Sequence, residues 1–155
     1  MLLIFFDTEF TEFENPELIS IGLASSSGKE FYAEVPFTHA SCSQFVIDIV
    51  MPLLSSTSQP SLEYLQLNLL DWLNAIRNDE PVIVCFDSNY DKKLLLKLFS
   101  NNLPNFIILR EIGYRQIDGL KRADFYRKNN LSEHHALNDA MALRYAFKGW
   151  LRAVR

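Results

Sequence analysis

Four acids and a histidine in this chain stand where their neighbours are apolar. Asp7 and Glu9 follow the run Leu2-Leu3-Ile4-Phe5-Phe6, and residues two apart on a strand point to one face, so their carboxylates project together. Two carboxylates held that close repel, and one takes up a proton unless a cation neutralises them. Taken alone, the triplet also fits an ordinary solvated strand end. Asp91 shares a helix side with Leu94, Leu95 and Leu98, which puts an acid in a core-facing stripe. An unpaired buried carboxylate is costly, so it must be neutralised, hydrogen-bonded or bound to metal. The ordinary alternative is a first-turn acid favoured by the helix dipole. Asp87 reads as the N-cap or turn residue of the same helix.

Asp139 repeats the pattern near the start of the last helix, in line with Leu143, Ala146 and Trp150. His134 lies five residues earlier, behind Ser132, a candidate helix cap. Five positions of continuous helix turn through about 500°. His134 and Asp139 therefore reach one point only if the histidine lies in the approach or the first turn. A histidine there, titrating near neutral pH, can take a proton from water. Together the residues read D-x-E, D, H-x4-D, with each acid at a strand end or helix start. Carboxylate oxygens favour Mg²⁺ or Mn²⁺ over zinc, and several of them can hold two ions about 3.5–4 Å apart, the arrangement used for in-line displacement at phosphorus.

The elements that must position these groups are readable from pattern. Residues 2–7, 17–24 and 30–35 read as three strands, the second and third joined by a Ser-Ser-Ser-Gly-Lys turn, which makes an antiparallel opening. Residues 61–76 repeat apolar side chains at three and four, from Leu62 through Leu65, Leu69 and Leu73 to Ile76, as an amphipathic helix does. Segment 43–54 is a further helix candidate. The apolar run 81–86 is a buried strand followed by a helix over 88–99, and 105–109 reads as another strand. Helices are expected over 116–128 and 134–153. The order implies an α/β layer structure with helices against a mixed sheet.

On these residues the chain resembles the DEDDh family of 3′–5′ exonucleases, whose fold is ribonuclease H-like. The matching motifs are Asp7-Thr8-Glu9-Phe10, then Asn89-Tyr90-Asp91 with Leu94-Leu95 behind it, then His134-His135-Ala136-Leu137-Asn138-Asp139-Ala140. Within that family, the first motif followed by Glu17-Leu18-Ile19-Ser20-Ile21-Gly22 and Phe31-Tyr32-Ala33 is similar to the small exoribonucleases called RNase AS. Two departures stand out: the Thr-Gly that follows the first motif in the family is absent, and the second motif lacks its His-Asn start, leaving Asp87 as a rival to Asp91. The resemblance implies one domain over 1–155, with a three-stranded antiparallel meander followed by parallel strands. It implies that Asp7, Glu9, Asp91 and Asp139 arrange two Mg²⁺ or Mn²⁺ ions, that His134 deprotonates the attacking water, and that the chain is a homodimer acting on RNA. Thr8 and Phe10 are the candidate substrate contacts, with Phe13 able either to stack on a base or to pack. His135 falls outside the general-base position and reads as packing or surface.

Composition narrows the field further. The 155 residues are 48% apolar and 13% aromatic, enough for one sizeable core and too rich for a disordered chain, with no low-complexity linker. Cys42 and Cys85 support neither a disulfide framework nor a thiolate metal cluster, and the opening apolar run is neither a signal peptide nor a membrane span, so a cytoplasmic protein is expected. Net charge is −4, yet residues 1–91 hold 14 acids against Lys29 and Arg77, while residues 92–155 hold 13 bases against five acids. That division fits acids gathered around cations with a basic flank for phosphates, or plain alternation of surface charge. The stretch containing Arg110, Arg115, Lys121, Arg122, Arg127 and Lys128 is the candidate backbone grip, or a solvated helix face. The expected activity is removal of nucleoside 5′-monophosphates from the 3′ end of single-stranded RNA. The alternatives are a 3′–5′ exodeoxyribonuclease, a non-catalytic nucleic-acid-binding module and a hydrolase of small phosphate esters.

Overall fold

The structure is a computed structural model that describes residues 1–55 and 59–149. β1 (Leu2–Phe10), β2 (Leu18–Ser25) and β3 (Glu30–Glu34) form an antiparallel meander, and β4 (Val82–Phe86) and β5 (Ile107–Glu111) add to it in parallel. The sheet order is β3-β2-β1-β4-β5. Chain progress thus runs outward from β1 on one side, then crosses back to lay β4 against its other edge. Among the described residues four α-helices complete the layers: α1 (Leu62–Ile76), α2 (Asn89–Leu98), α3 (Gly119–Asn129) and α4 (Ala136–Ala146).

Alternation along β1 divides the core. Ile4 and Phe6 pack with Leu65, Leu69 and Leu73 of α1 and Leu94 and Leu95 of α2. Leu3 and Phe5 point the other way, onto Ile83, Cys85, Leu143 and Phe147. The same odd-numbered face carries Asp7 and Glu9. β1 continues to Phe10, beyond the expected end at Asp7, so both acids sit within the strand, and a bulge follows Glu9. Bulges redirect a strand, and here the chain leaves the sheet immediately after the acids.

Several boundaries differ from the sequence expectation for identifiable reasons. Segment 43–54 is helical as expected, continuously over 44–53, but irregular: a π-helical turn over Val46–Val50 runs into a 3₁₀ turn over Met51–Leu53, where Pro52 lacks the N–H of a regular α-helix. β5 begins two residues later than expected, at Ile107. Leu62 opens α1 and is 51% exposed, off the buried face. The caps are Ser61 for α1 and Ser88 for α2, each accepting from a backbone N–H, so Asp87 is not the cap. α4 starts at Ala136 behind His135, so Ser132 is not its cap either. It ends at Ala146, where Phe147 turns extended and pairs with Ile117. Trp150 and the rest of the expected helix through 153 lie outside the described residues.

One glycine sets the distance between the layers. Gly22 lies beside Asp7 on β2, and a Cβ there would stand 2.3 Å from the Ala136 carbonyl group and the Leu137 nitrogen. Only a residue without a side chain lets the first turn of α4 rest directly on the sheet.

Candidate metal centre

The acids come from three layers. Asp7 and Glu9 project from β1, Asp91 from the first turn of α2 and Asp139 from the first turn of α4. Asp91 and Asp139 are 2% and 7% exposed, and Glu9 is buried as well. These groups gather at the carboxyl end of the parallel pairing between β1 and β4, past Phe5 and Phe86, where the chain order reverses. That is the place where open α/β sheets receive ligands.

Each carboxylate is held by a specific partner. Asp91 Oδ1 accepts from the Thr8 backbone N–H at 3.1 Å and from the Thr8 hydroxyl. Its other oxygen, Oδ2, is buried without a partner. Asp139 Oδ1 accepts from the Tyr126 hydroxyl at 2.7 Å, and Oδ2 accepts from the His134 N–H at 3.1 Å. His134 precedes the helix in the left-handed region, with φ 63. The Asp139 carboxylate thereby fixes the strained approach segment, and the histidine reaches the acids from outside the helix, as the five-residue spacing required.

Ligand atoms of Glu9, His134 and Asp139 lie within 4.8 Å of one another, and so do those of Asp7, Asp87 and Asp91. Burial pushes Glu9 up to about 8, with Asp139 and Asp91 adding repulsion. Burial pushes Asp91 up to about 7 against the pull of its Thr8 hydrogen bond, and the Asp87 charge raises it further. Asp7 is held well above the ordinary carboxylate range by burial and then by the charges of Asp91, Asp139, Glu9 and Asp87. Asp139 rises through burial in spite of the Tyr126 and His134 hydrogen bonds. A set of buried acids that resist ionisation together is what a site looks like when its counter-charge is a cation. The unpartnered Asp91 Oδ2 and the oxygen-rich donor set fit Mg²⁺ or Mn²⁺.

The acids open onto a cavity of about 410 Å³ whose wall includes Phe10, Phe13, Phe45 and His134. Phe10 stacks on Tyr90 with centroids 5.1 Å apart, and Phe13 meets both rings edge-on while remaining 69% exposed. Phe45 abuts the His134 ring at 5.0 Å. Thr8, expected at the substrate, lines this cavity and gives its hydroxyl and N–H to Asp91. His135 packs, stacked on Tyr32 at 4.5 Å.

The basic stretch is partly paired. Arg122 bonds Asp87, and Arg127 and Lys128 both bond Asp124. Tyr126 and Phe45 escaped the sequence reading, as did the pairing of Arg122 with Asp87 and the packing role of Gly22. Tyr126 and Arg122 sit on a helix with no local sign of a partner. Tyr90 was signalled by its place before Asp91.

The chain matches no family profile, and no curated protein matches it in sequence. Among solved structures it is similar to Pop2p of S. pombe in its Mg²⁺- and Mn²⁺-bound form. The TM-score is 0.59 at 15% identity, covering 92% of this chain and 79% of that one. The likeness establishes the fold: a five-stranded mixed sheet flanked by helices, of ribonuclease H-like type.

Proposed function

We propose that the protein is a divalent-cation-dependent 3′–5′ exonuclease of DEDDh type, similar to the RNase AS group, that releases nucleoside 5′-monophosphates from single-stranded RNA. The observation that carries this reading is the convergence of Asp7, Glu9, Asp91, Asp139 and His134 on one cavity from separate elements. The Mg²⁺ and Mn²⁺ named for the fold neighbour support the choice of cation. Two such ions, when bound, supply a lowered pKa for water and positive charge at the reacting phosphorus.

The chain's own residues do the rest. By the family resemblance Asp7 would touch both ions; its ligand atom lies with those of Asp87 and Asp91, while Glu9, two residues along β1, lies with His134 and Asp139. Thr8 fixes Asp91, and Tyr126 fixes Asp139, so neither carboxylate has to be ordered when substrate arrives. Water oxygen bonds to phosphorus, its proton passes to the His134 imidazole, the P–O3′ bond breaks, and the leaving oxygen takes a proton from solvent. Phe10, Phe13 and Tyr90 offer aromatic faces to the terminal bases; stacking tolerates any base, in keeping with stepwise degradation. A homodimer in the cytoplasm belongs to the same proposal. The free cysteines Cys42 and Cys85 are compatible with a reducing compartment.

The deciding experiment follows 5′-labelled RNA and DNA oligomers of matched sequence with Mg²⁺ or Mn²⁺. Shortening by single nucleotides from the 3′ end is expected, faster on RNA. Asp7→Ala and His134→Ala are each expected to cost at least about 100-fold in rate. Faster loss of DNA turns the reading to a deoxyribonuclease; unimpaired variants defeat the assigned roles.

A further inference from the structure

The family resemblance accounts for four acids, yet a fifth faces the same centre. Asp87 directly follows β4, and its carboxylate falls within 4.8 Å of those of Asp7 and Asp91. Arg122 Nη1 bonds Asp87 Oδ2 at 3.1 Å, which holds the side chain in place by one oxygen. A carboxylate accepts at both oxygens, so the arginine leaves coordination capacity unused. In the same group the Asp91 Oδ2 atom is buried and unpartnered, although Thr8 saturates the other oxygen. A buried acceptor left without a donor costs stability, and a cation between Asp91, Asp7 and Asp87 would satisfy it.

The two groups also differ in chemistry. Glu9 and Asp139 share theirs with His134, the proposed base, whereas Asp7, Asp87 and Asp91 offer three carboxylates. Three negative charges with oxygen donors make the second group the stronger trap for a hard dication. Without Asp87 it would contain only two carboxylates. Resting on the metal-centre reading above, we propose that Asp87 is a further ligand of the centre: it assists Asp91 in holding the ion on the β4 side, with Arg122 as the arm that positions it.

The test is Mn²⁺ uptake by the intact chain in the absence of nucleic acid, with free ion counted by its paramagnetic resonance signal, together with the rise in melting temperature that Mn²⁺ produces. Asp87→Asn keeps an oxygen for Arg122 and removes only the charge. It is expected to weaken one class of ion on the order of tenfold, leave the other class unchanged and shrink the thermal rise. The double variant Asp87→Asn/Arg122→Gln, which leaves no guanidinium stranded, is expected to show the same loss and covers the case in which the single variant does not fold. Isotherms that superimpose on wild type overturn the role of Asp87 and leave the centre itself intact. A wild-type chain that takes up no Mn²⁺ overturns both.

Discussion

Thr8 shows how much of this site depends on a residue that supplies no ligand. Its N–H and hydroxyl converge on Asp91 Oδ1, which leaves Oδ2 as the only unpartnered oxygen of a carboxylate that burial holds near 7. Thr8→Val preserves the shape and the backbone donor but deletes the hydroxyl. The expected cost in stability is about 1 kcal/mol, the usual net worth of one hydrogen bond. Metal affinity should fall more, by roughly 10-fold, because the lost donor was also favouring the charged form of Asp91. Calorimetric Mn²⁺ titration beside chemical denaturation checks this; equal losses in both would make Thr8 a packing residue only. The residue types and spacing at 7, 9, 91, 134 and 139 pointed to one cluster, and the structure brings them to one cavity. The Thr8 contact with Asp91 spans 83 positions, and nothing local in a threonine between two acids distinguishes a hydroxyl bound to substrate from one bound to a neighbouring helix.

The same division of legibility holds for the elements. β1, β4, α1 and α2 were readable because each buries an apolar run or stripe whose period is that of the element. The end of β1 was not, since Asp7, Thr8 and Glu9 break the apolar run while the ladder to β2 continues through them. The end of α4 was not either, because the bridge from Phe147 to Ile117 is a tertiary contact that overrides a helical pattern. Gly22 is the element-scale device with the sharpest consequence. α4 carries Asp139, and the approach to it carries His134, so any lift of its first turn moves both away from Asp7 and Glu9. Gly22→Ala forces such a lift, because its Cβ would meet backbone atoms at 2.3 Å. Overpacking of this kind costs about 1–3 kcal/mol, which leaves the fold standing, while displacement of catalytic groups by about 1 Å costs on the order of 100-fold in rate. The variant should therefore give a native circular dichroism spectrum with a lower melting temperature and little of the proposed nuclease activity. Near-wild-type activity would show that α4 need not rest on the sheet for the reaction.

Across the whole molecule, the acidic first 91 residues place their most costly charges at the centre of the sheet, and the basic remainder answers only part of that charge. Arg122 pairs with Asp87, and Arg127 and Lys128 turn instead to Asp124 on their own helix. The consequence is a linkage between pH, cation and folding. Glu9 and Asp91 titrate at about 8 and about 7 in the folded chain, and Asp7 and Asp139 are raised as well. Free Asp and Glu side chains titrate at about 4, so at intermediate pH the folded state binds more protons than the unfolded one. Stability contributed by the protonated acids is full below the unfolded values and is lost as pH rises through 7 and 8. In chelator, the melting temperature should fall steadily from pH 5 to pH 8, by an amount equivalent to a few kcal/mol. Mn²⁺ or Mg²⁺ favours the ionised acids and binds only the folded arrangement, so saturating cation should abolish or reverse that fall. Asp7→Asn, which removes the most heavily repelled carboxylate, should flatten the chelator curve and reduce the response to cation. A wild-type melting temperature that ignores both pH and cation across this range would mean that the acids are not the strained, cation-seeking cluster their burial implies.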